Sequence, residues 1–140
     1  MKYSSREILI SKELKVTPSR IMILDLFLND CKPINAEYVF EKIKTNKINL
    51  ATVYRTLVSF ETKSILRRID LHKDSVHYEL SNHHHHHIVC NNCGIFESFE
   101  NCSIKDLSND VLNNSVRFRT IQNHSLELFG TCNSCAKISK

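Results

Sequence analysis

Glycine and proline are scarce in this 140-residue chain, two of each, and no apolar run approaches the length of a membrane helix. Few breakers exclude a loop-rich or low-complexity chain and predict helix-rich packing with short connections. Lacking ~18 consecutive apolar residues, the chain is not expected to span a membrane. Met1 to Glu7 carries none of the apolar stretch of a secretory signal, which points to the cytoplasm. Hydrophobic residues make up 41%, too many for a disordered chain. No His-Glu-x-x-His spacing is present, so a zinc hydrolase lacks its usual motif.

The most informative residues are four cysteines in two Cys-x-x-Cys pairs, Cys90/Cys93 and Cys132/Cys135. Each short turn aims two sulfurs at one point, so two turns together supply a tetrahedral structural zinc site. A disulfide or a redox pair is the alternative. A reducing cytoplasm favours metal over disulfide, and a redox role explains only one pair. Cys31 and Cys102 are unpaired in sequence and read as small buried residues.

His83 to His87 stand directly before the first pair. An internal run that abuts a cysteine motif is a poor candidate for a tag. A solvated metal-catching loop is one reading. A strand is the other: alternate residues face opposite sides, so His85 and His87 serve one site and His84 and His86 another. Imidazole suits iron, zinc, nickel or copper. Glu79, read as exposed on its strand, and His124 are further candidate ligands, whereas His72 and His77 read as surface or core histidines.

Charge is uneven. Residues 1–80 hold 14 Lys/Arg and 10 Asp/Glu, and residues 81–140 hold five of each. A basic first half fits a polyanion partner or simply a solvated surface.

The expected class is α+β, with a winged helix-turn-helix over 1–81 and a small α/β unit over 82–140. A short helix is expected from Ser5 to Leu14. Thr17 caps a helix opened by Pro18, with Ile21, Leu24 and Leu28 recurring at helical spacing. Asn35 caps the next, with Val39, Phe40 and Ile43 apolar. Asn49 caps a third from Leu50 to about Glu61, where Val53, Leu57 and Phe60 face inward and Thr52, Arg55 and Thr56 outward. Strands are expected over Ile65–Leu71 and Ser75–Leu80, with Val76, Tyr78 and Leu80 on one face. Three helices and a hairpin make a winged helix whose third helix reads DNA. Further on, strands are expected over His83–Val89, Ile95–Phe99, Val116–Ile121 and Ser125–Phe129, with a Ser103-capped helix carrying Ile104, Leu107 and Val111.

Several stretches resemble the ferric uptake regulator (Fur) family of metal-responsive repressors. Leu50-Ala51-Thr52-Val53-Tyr54-Arg55-Thr56-Leu57 is similar to their recognition helix. His83 through Gly94 resembles their metal motif, and His124-Ser125-Leu126 through Cys135 their C-terminal end. Leu14 through Arg20 resembles the start of their second helix.

The resemblance implies a homodimeric repressor of metal-homeostasis genes that binds operator DNA. Tyr54 and Arg55 then touch DNA in or beside the major groove and Lys15 approaches the minor groove, with Arg20 and Thr52 as further DNA-facing candidates, and residues 82–140 form a small α/β dimerisation domain that carries the four-cysteine zinc site. It implies structural zinc on the four cysteines and a regulatory metal on Glu79, His85 and His87. It implies a second site on His84, His86 and His124. The ion bound to Glu79, His85 and His87 would fix the angle between two winged helices, so that both reach major grooves ~34–36 Å apart or a multiple of that.

This chain departs from the family pattern at three positions. Pro33 replaces a usual histidine, Ser98 a usual carboxylate (with Glu97 displaced to the other strand face), and Lys105 the second site's glutamate, with Asp106 adjacent. Water, Cys31, Asp70 or His72 are candidates to complete the first set. Glu79 with two histidines fits iron, the histidine-rich set leans to zinc, and manganese stays open. A metal carrier that ignores DNA, or a zinc enzyme, is the competing class. The carrier leaves the Tyr54-Arg55 helix and wing unexplained, and the enzyme, for which Glu79 or Glu97 could serve as general base, lacks a catalytic spacing such as His-Glu-x-x-His.

Overall fold

The computed structural model describes residues 3–30, 32–44, 47–71, 73–82, 84–100 and 102–138. It divides into two compact units, Met1–His83 and His84–Lys140. Cys31, His72 and His83, all considered above, lie outside the described residues.

In the first unit the helix starts follow their capping residues. Helix α1 (Ser5–Ser11) opens with a reciprocal box: the Ser4 side chain accepts from the Glu7 amide, and the Glu7 carboxylate accepts from the Ser4 amide. It stops before the expected Leu14, because Glu13 takes a left-handed φ of 58°. Helix α2 (Pro18–Asn29) is capped by Thr17, whose oxygen accepts from the Arg20 amide. Its buried stripe is Ile23, Leu24 and Phe27. Ile21 and Leu28, placed on the stripe by spacing, sit at its half-buried margins.

After the two-residue strand β1 (Ile34–Asn35), helix α3 (Ala36–Ile43) is capped by Asn35. Helix α4 (Leu50–Thr62) is capped by Asn49, which accepts from both the amide and the hydroxyl of Thr52. Val53, Thr56, Leu57 and Phe60 are its buried residues. Thr56 was expected outside. It lies three residues from Val53 and four from Phe60, which puts it on the core stripe of a 3.6-residue period. The helix ends where Ser64 turns left-handed and the Ile65 amide bonds back to the Phe60 carbonyl.

The wing is the hairpin of β2 (Leu66–Ile69) and β3 (His77–Leu80), in the order β1-β3-β2. Both expected strands are shorter than their hydrophobic runs. Strand β1, unmarked in sequence, makes β3 central, so His77, Tyr78 and Glu79 are all buried. Val76, expected to share the inner face with Tyr78, precedes the strand and is exposed. Helices α1 to α4 and the sheet enclose one core around Phe27, Phe60, Leu24 and Leu57.

The second unit is built on β4 (His86–Cys90), flanked by antiparallel β5 (Phe96–Phe99) and parallel β6 (Glu127–Gly130). Helix α5 (Ile104–Asn114) follows Ser103, whose side chain makes no cap bond. Ile104, Leu107 and Val111 do form a stripe, yet no residue of α5 is buried. The expected strand Val116–Ile121 is absent. Its apolar residues alternate, but both edges of β4 are already taken and 116–121 has no partner strand among the described residues. Helix α6 (Asn133–Ile138), unforeseen, begins beside the second cysteine pair.

Leu57→Ala should destabilise the first unit by about 2–5 kcal/mol, because it opens a cavity under α4. Urea denaturation followed by far-ultraviolet circular dichroism measures it.

Candidate metal centres and nucleic-acid interface

All four cysteines of the two Cys-x-x-Cys pairs converge, with sulfurs within 4.8 Å of one another. Cys90 ends β4 and Cys93 completes a tight knuckle. Gly94 closes it at a φ of 74°, with its amide donating to the Cys90 carbonyl at 2.9 Å. A side chain there would strain the left-handed turn. Cys132 precedes α6 and Cys135 lies in its first turn.

The Cys93 and Cys132 sulfurs are 3.7 Å apart. Four sulfurs at about 2.3 Å from a tetrahedral zinc stand about 3.8 Å from one another. The donor set therefore fits structural zinc. Backbone amides support the thiolates: Cys132 N–H donates to Cys90 Sγ at 3.3 Å and Cys135 N–H to Cys132 Sγ at 3.5 Å. The Cys132 and Cys93 amides hold the Cys90 thiol down to about 6. Hydrogen bonding to the Cys132 and Cys93 sulfurs pushes Cys135 up to about 12. None of the five described cysteines is in a disulfide.

At the other end of β4 the histidines alternate as strand geometry requires. His85 and His87 have ring centroids 5.0 Å apart, and His87 is wholly buried. His84 and His86 lie to the other side, each about 5 Å from the His124 ring. His124 Nε2 stands 3.3 Å from His86 Nε2.

Cys102, read from sequence as a small buried residue, is only half-buried, and its sulfur joins this group. Nothing in the sequence marked it, since it sits on the link between β5 and α5, far from any paired cysteine. Lys105 and Asp106 are exposed and belong to neither histidine set. Ser98 pairs directly with His87 and therefore shares its face, while Glu97 pairs with Ile88 on the opposite one.

In the first unit, Glu79 was expected to be exposed and is instead 4% exposed. Its cross-strand neighbour Arg67 donates Nε–H to Glu79 Oε1 at 2.7 Å, which charge-balances and orients the carboxylate. The hairpin register could have revealed Arg67. Pro33 is buried beside β1, and Asp70 is exposed at the end of β2.

The outer face of α4 presents Tyr54 and Arg55. Tyr54 is 43% exposed, so it is not a core aromatic. Its hydroxyl donates to Glu37 Oε1 on α3, which fixes the ring's direction. That bond holds the Glu37 carboxyl below its ordinary range and raises the Tyr54 phenol. Thr52 is tied into the Asn49 cap. Arg20 donates to the Lys15 carbonyl at 2.8 Å, so it braces the turn before α2 while the Lys15 side chain remains exposed.

The profile of the family described as "Ferric uptake regulator family" matches residues 11–129. The chain is 34% identical to the ferric uptake regulation protein of Staphylococcus epidermidis over 134 residues, 94% of each chain. It is similar to the ferric uptake regulator from Francisella tularensis solved with iron: 34% identity, TM-score 0.72, covering 88% of this chain and 95% of that one. The Vibrio cholerae ferric uptake regulator compares at 34% identity and TM-score 0.71, with 91% and 98% covered.

Replacing Cys90 and Cys93 by serine should remove about one zinc per chain. Amide protection over residues 86–130 should vanish while the first unit keeps its own. Metal analysis with hydrogen exchange reads both, and unchanged zinc content would reject the four-cysteine site.

Proposed function

We propose, for a chain that belongs to the Ferric uptake regulator family, a metal-dependent repressor that binds double-stranded operator DNA as a homodimer in the cytoplasm. The family is one of metal-responsive transcription regulators rather than enzymes. The observation that carries the reading is α4. It places an exposed tyrosine and an exposed arginine on a capped, well-packed helix next to a wing.

Arg55 donates to a guanine edge and Tyr54 packs on a thymine methyl. Lys15, Arg20 and Thr52 flank them and contribute contacts to the backbone, which carry no sequence information but make affinity salt-dependent. Dimerisation belongs to the second unit. Leu107 and Val111 on α5 and Phe118 beyond it are 57%, 50% and 72% exposed, an apolar surface that a second copy of the chain would cover. Among the described residues no helix is long and apolar enough to cross a membrane.

Regulation rests on two histidine sets. Glu79, His85 and His87 hold the regulatory ion, with Arg67 as the group that positions the carboxylate. One oxygen and two nitrogens suit iron, the ion bound by the Francisella relative, as well as zinc or manganese. His84, His86 and His124 form a second site. Binding at the first set favours the DNA-competent arrangement over the others, a shift of populations whose size is set by differential affinity.

Replacing His85 and His87 by alanine should abolish the dependence of DNA affinity on added metal and leave about one zinc per chain. Fluorescence anisotropy with an operator fragment, titrated against buffered iron(II), zinc and manganese, tests this. An unaltered metal response would refute the regulatory set. Arg55→Ala should cost about 1–3 kcal/mol of specific binding and less of nonspecific binding. Equal losses would make Arg55 a phosphate contact.

A further inference from the structure

The second histidine set has a fourth member. His84 Nε2 lies 3.2 Å from Cys102 Sγ, and His124 Nε2 lies 4.0 Å from the same sulfur and 3.3 Å from His86 Nε2. One donor atom from each of the four side chains falls within 4.8 Å of the others. Around a tetrahedral zinc with usual bond lengths, two nitrogens stand about 3.3 Å apart and a nitrogen and a sulfur about 3.6 Å apart. The nitrogen pair matches, and the two nitrogen–sulfur distances bracket the expected value.

We propose that Cys102 is a thiolate ligand that completes a three-histidine, one-cysteine site selective for zinc-class ions over iron and manganese. The inference rests on reading His84, His86 and His124 as a metal site and adds the ligand that sets its preference.

Three features carry it. First, no carboxylate from α5 joins the group: Lys105 and Asp106 at its start are exposed and outside the cluster. Second, Cys102 precedes α5 and reaches the group from the link between β5 and that helix. Third, the cluster is accessible without being loose: His86 is buried, Cys102 and His124 are half-buried, and His84 is exposed. A soft sulfur among imidazoles suits zinc, whereas iron and manganese gain from carboxylate oxygen. Binding releases the thiol proton to solvent and leaves the sulfur as an anionic donor.

Cobalt(II) is the probe, added to full-length protein that retains one zinc per chain, with zinc content followed throughout. Cobalt bound at this site should show sulfur-to-cobalt charge-transfer absorption in the near ultraviolet. Cys102→Ser should lose that absorption and weaken zinc binding at this site by at least ~100-fold, since even an outer partner of a ligand costs about 10–100-fold. Identical spectra for wild type and Cys102→Ser would overturn the thiolate assignment and leave the histidine site standing. If His86→Ala with His124→Ala leaves cobalt stoichiometry unchanged, the histidine site fails too, and the proposal with it. A readout free of substitutions uses wild type: zinc, but not manganese, should slow alkylation of Cys102 as followed by mass spectrometry. Equal rates with and without zinc would refute it.

Discussion

The convergence of four cysteine sulfurs is what the second unit depends on. Its described residues bury little else: Val89, Cys90, His86 and His87 are the residues sealed from solvent, and three of those are candidate ligands. Every residue of α5 keeps contact with water. So small an apolar interior cannot offset the entropy of ordering the segment. Zinc held by such a site supplies folding energy directly, about 10–16 kcal/mol in zinc-finger peptides. The first unit is different in kind. Fourteen of its described residues form a buried core, and it needs no metal to account for its packing.

The knuckle also governs the histidines. β4 runs from His86 to Cys90, with partners on both sides, so its register is fixed twice over. Cys90 at its end is anchored by the sulfur cluster and by the Cys132 amide. Moving β4 by one residue would exchange the faces of His85 and His87 with those of His84 and His86. Alternation beside a pinned strand is therefore the device that keeps two candidate ligand sets apart, although the histidines are consecutive. Loss of the sulfur cluster would blur both sets at once, without touching a single imidazole.

Much of this was legible in the sequence wherever one local rule decides the outcome. Thr17 with Pro18, Asn35 and Asn49 mark helix starts because capping is a matter of neighbouring atoms. The two cysteine pairs announce their site because spacing and chemistry coincide. Failures fall where partners are distant. β1 is two residues long and exists only because β3 offers an edge. Residues 116–121 alternate like a strand, but alternation describes a surface and cannot supply a partner. Thr56 and Glu79 are polar side chains buried by tertiary neighbours, the core stripe in one case and the central strand with Arg67 in the other. Cys102 is the clearest example: its meaning lies in three histidines that are 16, 18 and 22 residues away in sequence.

Ligand sites are defined in space, and a comparison by position can therefore mistake relocation for loss. Lys105 stands where the resemblance implies a glutamate, and taken alone it suggests a decayed site. In the proposed site the fourth donor comes instead from Cys102, three residues earlier. The exchange is not neutral, because a carboxylate and a thiolate rank ions differently. In the proposed regulatory set the carboxylate is Glu79, which Arg67 braces, while Pro33 and Ser98 offer neither imidazole nor carboxylate. The two proposed donor sets thus differ in hardness: oxygen with nitrogen in one, sulfur with nitrogen in the other. A single histidine run can then answer to two ions, and the residues that decide which ion goes where are not histidines.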